Sequence, residues 1–128
     1  MTYHIATSNV ARMLAGYDDE VMAGFVARLD PVNAVADASP GFVWRYESDD
    51  EEPEEIRVFD DKLILFNMSV WESIEALEQF AYQSIHLEVL QKKSNWFERP
   101  TRTPLVLWWV KAGHIPSVEE AKERFDVL

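Results

Sequence analysis

No cysteine occurs among the 128 residues, so disulfides, thiolate metal sites and cysteine nucleophiles are excluded. Glycine is scarce as well, with four in the chain, and none sits in a run able to cradle a phosphate. G-x-S-x-G and H-E-x-x-H are missing too, which removes the common hydrolase and zinc-protease motifs. Positive charge is in short supply: 12 Lys and Arg against 23 Asp and Glu leave 12 − 23 = −11. A field of that sign repels phosphate backbones and anionic lipid, so neither nucleic acid nor a membrane surface is an expected partner. No stretch approaches the roughly 20 apolar residues of a membrane span. The first nine residues lack the basic start and apolar run of a secretory signal. These absences predict a cytoplasmic protein without a metal site.

What is present has the balance of a packed protein, 48% hydrophobic and 27% charged, at a length suited to one domain over residues 1–128. Residues 3–12 read as a first strand, followed by a turn at Gly16-Tyr17-Asp18. Asp18 can cap a helix in which Val21, Met22, Phe25, Val26 and Leu29 share a face. Asp30-Pro31 has the form of an N-cap and N1 proline, so a second short helix is expected over 32–38, stopped by Ser39-Pro40-Gly41. Residues 42–46 and 62–71 are strands by propensity, and the six acids among residues 49–55 between them read as a solvated loop. Ser73 can cap a long helix expected to end near Lys93 or to continue to Phe97. Residues 105–110 form a fourth strand. Ser117-Val118-Glu119-Glu120 is a capping box opening a last helix with Val118, Ala121, Phe125 and Leu128 inward.

The order β-α-β-β-α-β suits an α+β, ferredoxin-like arrangement with an antiparallel sheet. Alternation places Ile64, Phe66, Met68 and Val70 on one side of the third strand and Leu63, Leu65, Asn67, Ser69 and Trp71 on the other. In the fourth, Val106, Trp108 and Val110 oppose Leu105, Leu107 and Trp109. Both sides are largely apolar, whereas a sheet with one wet face alternates apolar with polar. If the helices of one chain cover one side only, the side bearing Leu63, Leu65, Trp71, Leu105, Leu107 and Trp109 needs a second copy, and a face-to-face homodimer is expected. The polarity of Asn67 and Ser69 suggests that this side borders a cavity.

Asn9-Val10-Ala11-Arg12, residues 29–37 (LDPVNAVAD), Pro40-Gly41-Phe42-Val43-Trp44-Arg45, Ser69-Val70-Trp71-Glu72-Ser73, Trp96-Phe97 and Leu107-Trp108-Trp109-Val110 together resemble domain-of-unknown-function family 3291 (DUF3291) over nearly the whole chain. The resemblance implies a dimeric α+β barrel, in a group whose relatives include antibiotic-biosynthesis monooxygenases and haem-handling enzymes. In haem-degrading relatives an Asn of the first strand joins a Trp and a His of the helix after the third strand. Asn9 and His86 lie on matching elements, but Trp71 precedes that helix and Phe80 stands where its Trp is expected. No haem and no other cofactor is therefore expected.

Two functional readings follow. In the first, the protein holds an apolar or aromatic small molecule between helix and sheet and oxidises it in the manner of cofactor-free monooxygenases. Asn67, Trp71, Tyr82 and His86 are then the candidate orienting and catalytic groups, with His86 able to exchange a proton near neutral pH. In the second, the fold is an oligomerising or interaction module without a site. Trp44, Trp71, Trp96, Trp108 and Trp109 are expected to fill core or interface rather than line a pocket.

Overall fold

The computed structural model describes residues 2–46, 63–82, 84–99 and 105–126, with the side chains of Ser84, Ile85, His86, Leu90 and Asp126 excepted. The acidic run at 49–55, Asp60-Asp61 and Leu128 lie outside the described residues. Four strands, β1 (Tyr3–Arg12), β2 (Phe42–Arg45), β3 (Ile64–Trp71) and β4 (Leu105–Lys111), form one antiparallel sheet in the order β2-β3-β1-β4. The helices are α1 (Ala23–Ala38), α2 (Ile74–Ala81), α3 (Ser84–Gln91) and α4 (Val118–Asp126). This is the ferredoxin-like α+β arrangement anticipated above. Both long crossovers, β1 to β2 and β3 to β4, join strands that run parallel with one strand between them. A common hand for such connections sends both helical layers to the same side.

Local chemistry sets most boundaries. Asp19, rather than Asp18, caps the first turn: its Oδ1 accepts from Val21 N at 2.9 Å. Ser73 Oγ accepts from Ala76 N at 3.1 Å and opens α2. Ser117 Oγ accepts from Glu120 N at 3.1 Å and opens α4. The other half of that capping box is diverted, because the Glu120 carboxylate accepts instead from Trp108 Nε1. Gly41, at φ +82°, makes the turn into β2 where a Cβ would stand 2.5 Å from Ala76 Cβ.

Two helix expectations are corrected. Asp30-Pro31 does not start a new helix; α1 runs through Pro31 for 16 residues. An internal proline removes one backbone hydrogen bond and costs about 3 kcal/mol. Phe25, Leu29 and Ala36 nevertheless lie on one continuous stripe against the sheet, and packing along that stripe outweighs the local stop signal. Val21 and Val26, expected on the same face, are exposed. The single long helix after Ser73 is in fact α2 and α3, broken at Tyr82. The break reconciles apolar residues that no single straight stripe could bury.

The sidedness of the strands is as the alternation reads, but the cover is not. The side bearing Leu63, Leu65 and Trp71 faces α1, α2 and α3, and Trp71 is 1% exposed among Ile5, Phe42, Leu77 and Phe80. The opposite side, with Ala6, Met68, Val70, Val106, Trp108 and Val110, is buried against Ala121 and Phe125 of α4. One chain thus supplies helices to both sides, and the premise that a bare face must meet a second copy falls away. Among the described residues, the large apolar strand side chains left exposed lie on the helix-rich side, at Leu105, Leu107 and Trp109 of β4 and Tyr3 of β1.

Candidate functional site

On the side of α1–α3 two apolar clusters sit apart. One joins Ile5, Ala36 and Trp71 with Phe42, Leu77 and Phe80. The other joins Met13, Met22, Phe25 and Trp96 with Leu29, Leu63, Leu65 and Val89. It is tied to the end of β1 by Leu14 N donating to Trp96 O and Glu98 N donating to Arg12 O, both at 2.8 Å. The sheet between the clusters is polar. Register puts Thr7 opposite Ser69 and Asn9 opposite Asn67 across β1 and β3, four neutral hydrogen-bonding side chains in one block. Asn9 and Asn67 are exposed, and Thr7 and Ser69 half-buried.

The block is flanked by β4, where Thr7 pairs with Leu107, Asn9 with Leu105 and Ile5 with Trp109. A polar floor therefore meets an apolar wall. Further along the same side, past Ile5, Tyr3 and Trp109 line a shallow, open concavity of about 390 Å³ that none of these four polar residues lines. Ser8, pointing to the opposite side and 1% exposed, donates to the carbonyl of Asn67 at 2.7 Å, which satisfies its hydroxyl and ties β1 to the strand that carries the floor.

The candidate residues are brought together only in part. Asn67 is exposed and stands opposite Asn9 across β1 and β3. Trp71 is buried: it stacks on Phe80 at 5.1 Å and its Nε1 donates to Ser69 Oγ at 2.9 Å. It can act on the floor by orienting Ser69 but presents no surface of its own. Tyr82 stands at the α2–α3 break, 71% exposed. His86 belongs to α3, and its side chain lies outside the described residues. Tyr3 and Thr7 were not singled out by sequence reasoning, and Trp109 was expected in core or interface rather than at a concavity. Thr7-x-Asn9 facing Asn67-x-Ser69 was the available signal, once β1 and β3 are paired antiparallel. Trp71, Trp96 and Trp108 are core, Trp44 is half-buried and Trp109 lines the concavity.

Charge is placed away from this floor. Arg45 grips Asp37 with Nε at 2.7 Å and Nη2 at 3.2 Å, and those bonds hold the Asp37 carboxyl below its ordinary range. Arg28 donates to Glu88 through Nε at 2.9 Å and lies 5.6 Å from the Trp96 ring, tying α1 to α3; its hydrogen bond lowers the Glu88 pKa. Under α4, Glu120 meets Trp108 Nε1 and His114 Nε2, each at 2.8 Å. Burial pushes the Glu120 carboxyl up, but the hydrogen bonds from His114 and Trp108, with the charges of His114 and Arg124, pull it lower on balance. Among the described residues no group of three His, Asp or Glu side chains could hold a metal ion, and no helix is long and apolar enough to cross a membrane.

Residues 4–128 match the family described as domain of unknown function (DUF3291), and the chain belongs to that family. No curated protein is similar to it in sequence. Solved structures share its fold. SnoaB, a cofactor-independent oxygenase from Streptomyces nogalater, superposes with a TM-score of 0.54 at 14% identity, over 88% of this chain and 95% of its own. NE2512, a protein of unknown function from Nitrosomonas europaea, gives 0.56 at 10% identity, over 91% and 97%. A candidate antibiotic biosynthesis monooxygenase from Chloroflexus aurantiacus J-10-fl gives 0.51 at 13% identity, over 90% and 98%. At these identities the likeness is one of fold.

Proposed function

We infer that this DUF3291 protein, acting as a cytoplasmic homodimer, binds a flat apolar or aromatic small molecule between the α2–α3 layer and the polar block of the sheet, and oxidises it without a bound cofactor. The observation that carries this reading is the block of Thr7, Asn9, Asn67 and Ser69 set into an otherwise apolar face, with the aromatic side chains of Tyr3 and Trp109 further along that face. Neutral amides and hydroxyls can orient a carbonyl or phenol, while the aromatic wall takes up its ring. The fold shared with a cofactor-independent oxygenase supports the reaction class by analogy.

The floor itself offers no acid or base among its described side chains, so proton transfer falls to His86 on α3. Asn67 and Asn9 orient the substrate, Trp71 positions Ser69, and Tyr82 flanks the α2–α3 opening. A panel of quinols and polyphenols, followed by Trp109 fluorescence for binding and by oxygen uptake for turnover, tests the reading. Binding weakened by Asn67→Ala, with turnover lost in His86→Ala, is the expected result. Absence of both binding and turnover across the panel leaves the alternative, an interaction module without a site.

A further inference from the structure

One side chain of the polar block already serves the core. Trp71 is 1% exposed, and its indole has a donor and no acceptor, so the Nε1–H must be taken up inside the protein. Ser69 takes it up, with Oγ at 2.9 Å. A serine hydroxyl carries one proton and two lone pairs. With a lone pair given to Trp71, the Ser69 proton has no acceptor among the described residues. Accepting from the indole also polarises the hydroxyl and strengthens it as a donor. Ser8 in the neighbouring strand shows the opposite arrangement, since its own proton goes to the Asn67 carbonyl.

Thr7 faces Ser69 across β1 and β3. A serine and a threonine in such positions can bond to each other. Here no hydrogen bond joins them, and among the described residues none accepts from Thr7. Both are half-buried, so neither hydroxyl is sealed from what lies over the sheet. Opposed side chains have Cβ atoms about 4.5–5.5 Å apart. At that spacing a single oxygen atom between them can stand about 2.8 Å from both hydroxyls. The amides of Asn9 and Asn67 give and accept equally, so the hydroxyl pair, with Ser69 already accepting, sets the polarity of the block.

We propose that Ser69 and Thr7 form a paired donor site for one acceptor oxygen of the ligand, a carbonyl in the simplest case, with Trp71 as the positioning residue that makes Ser69 a donor. Such a pair presupposes the ligand reading above and adds to it the polarity of the contact. A neutral carbonyl suits the place better than a carboxylate or a phosphate, because the net charge of −11 opposes an anion. Ser69 and Thr7 are then specificity-determining residues. A flat hydrocarbon leaves both protons without acceptors and forgoes two hydrogen bonds.

Fluorenone and fluorene, flat probes that differ by one carbonyl oxygen, provide the test. Binding is followed by tryptophan fluorescence and the bound ketone by its infrared carbonyl stretch. In the wild type that stretch should fall below its frequency in hydrocarbon solvent. Thr7→Val, which keeps the side-chain shape, and Ser69→Ala should each weaken fluorenone binding about threefold to tenfold, the worth of one neutral hydrogen bond, and leave fluorene binding unchanged. Trp71→Phe keeps a ring beside Phe80 and removes the N–H, so the stretch should move part of the way back. Ser69→Thr, which retains the hydroxyl, should preserve the wild-type frequency. Equal losses for both probes would make the hydroxyls structural, and a stretch unmoved by Ser69→Ala would put the carbonyl elsewhere. Either result overturns the donor pair while the ligand reading stands. Wild-type protein that binds neither probe also overturns it, and binding within the quinol panel then shows whether the ligand reading survives.

Discussion

On the side of the sheet under α4, the central positions of neighbouring strands are Ala6, Val70 and Trp108, all buried, and the buried hydroxyl of Ser8 is satisfied by the Asn67 carbonyl. On the side under α1–α3 the matching central positions are Thr7, Asn9, Asn67 and Ser69, with water at the two asparagines. The same four strands thus carry a continuous core on one side and a divided one on the other. A short helix suffices to close the first, whereas three helices leave the second open. The contrast separates residues that hold the fold from residues available to act on something else.

The largest expected effects probe the closed side. Trp108→Ala removes a buried indole and one of the two Glu120 partners, and should cost about 3–5 kcal/mol in urea unfolding. A cost below about 1 kcal/mol would mean that α4 does not seal that side. Trp71→Ala should cost a similar ~3–5 kcal/mol through loss of the Phe80 stack and the Phe42 edge contact, showing that the divided side is anchored at its ends. Gly41→Ala comes next, at roughly 2 kcal/mol. It combines a left-handed backbone with a Cβ at 2.5 Å from Ala76, where β2 meets α2.

Glu120→Gln should cost about 1 kcal/mol at neutral pH. Its pH dependence is more telling. The folded-state pKa of Glu120 is lowered, so its contribution is fully present above the unfolded value of about 4.3 and is lost as pH falls through the folded one. Chemical unfolding of the wild type should therefore lose stability on acidification below that value, and the Gln variant should show a flatter profile. An identical slope in the two proteins would dissociate α4 closure from the carboxylate. The smallest expected effect is the most discriminating. Asn67→Ala and Asn9→Ala should each change stability by less than about 0.5 kcal/mol, because open amides contribute little to folding. A large loss from either would make the polar block structural, and the contrast between the sides would no longer point to a binding site.

Much of this was legible in local patterns. Ser73 and Ser117 marked the starts of α2 and α4 because a hydroxyl cap acts within three residues. The polarity of Asn67 and Ser69 was visible as a lapse in an apolar strand. Their partners Thr7 and Asn9 were not, since residues 58 and 62 positions apart become neighbours only through strand pairing. Pro31 misled for a related reason: its stop signal is local, while the stripe that overrides it is defined by contacts with the sheet.

The sequence by itself determined the order of the elements, the partition of strand side chains between two sides and the net negative charge. Each depends on the period of a strand, the reach of a cap or a count of charges, and these act over a few residues or over the whole chain regardless of its path. Tertiary structure alone decided which side α1–α3 would cover, that α4 would close the other, and that two clusters would leave a polar block between them. Alternation states which residues share a side, but what lies over that side depends on crossovers and packing between segments far apart in the chain.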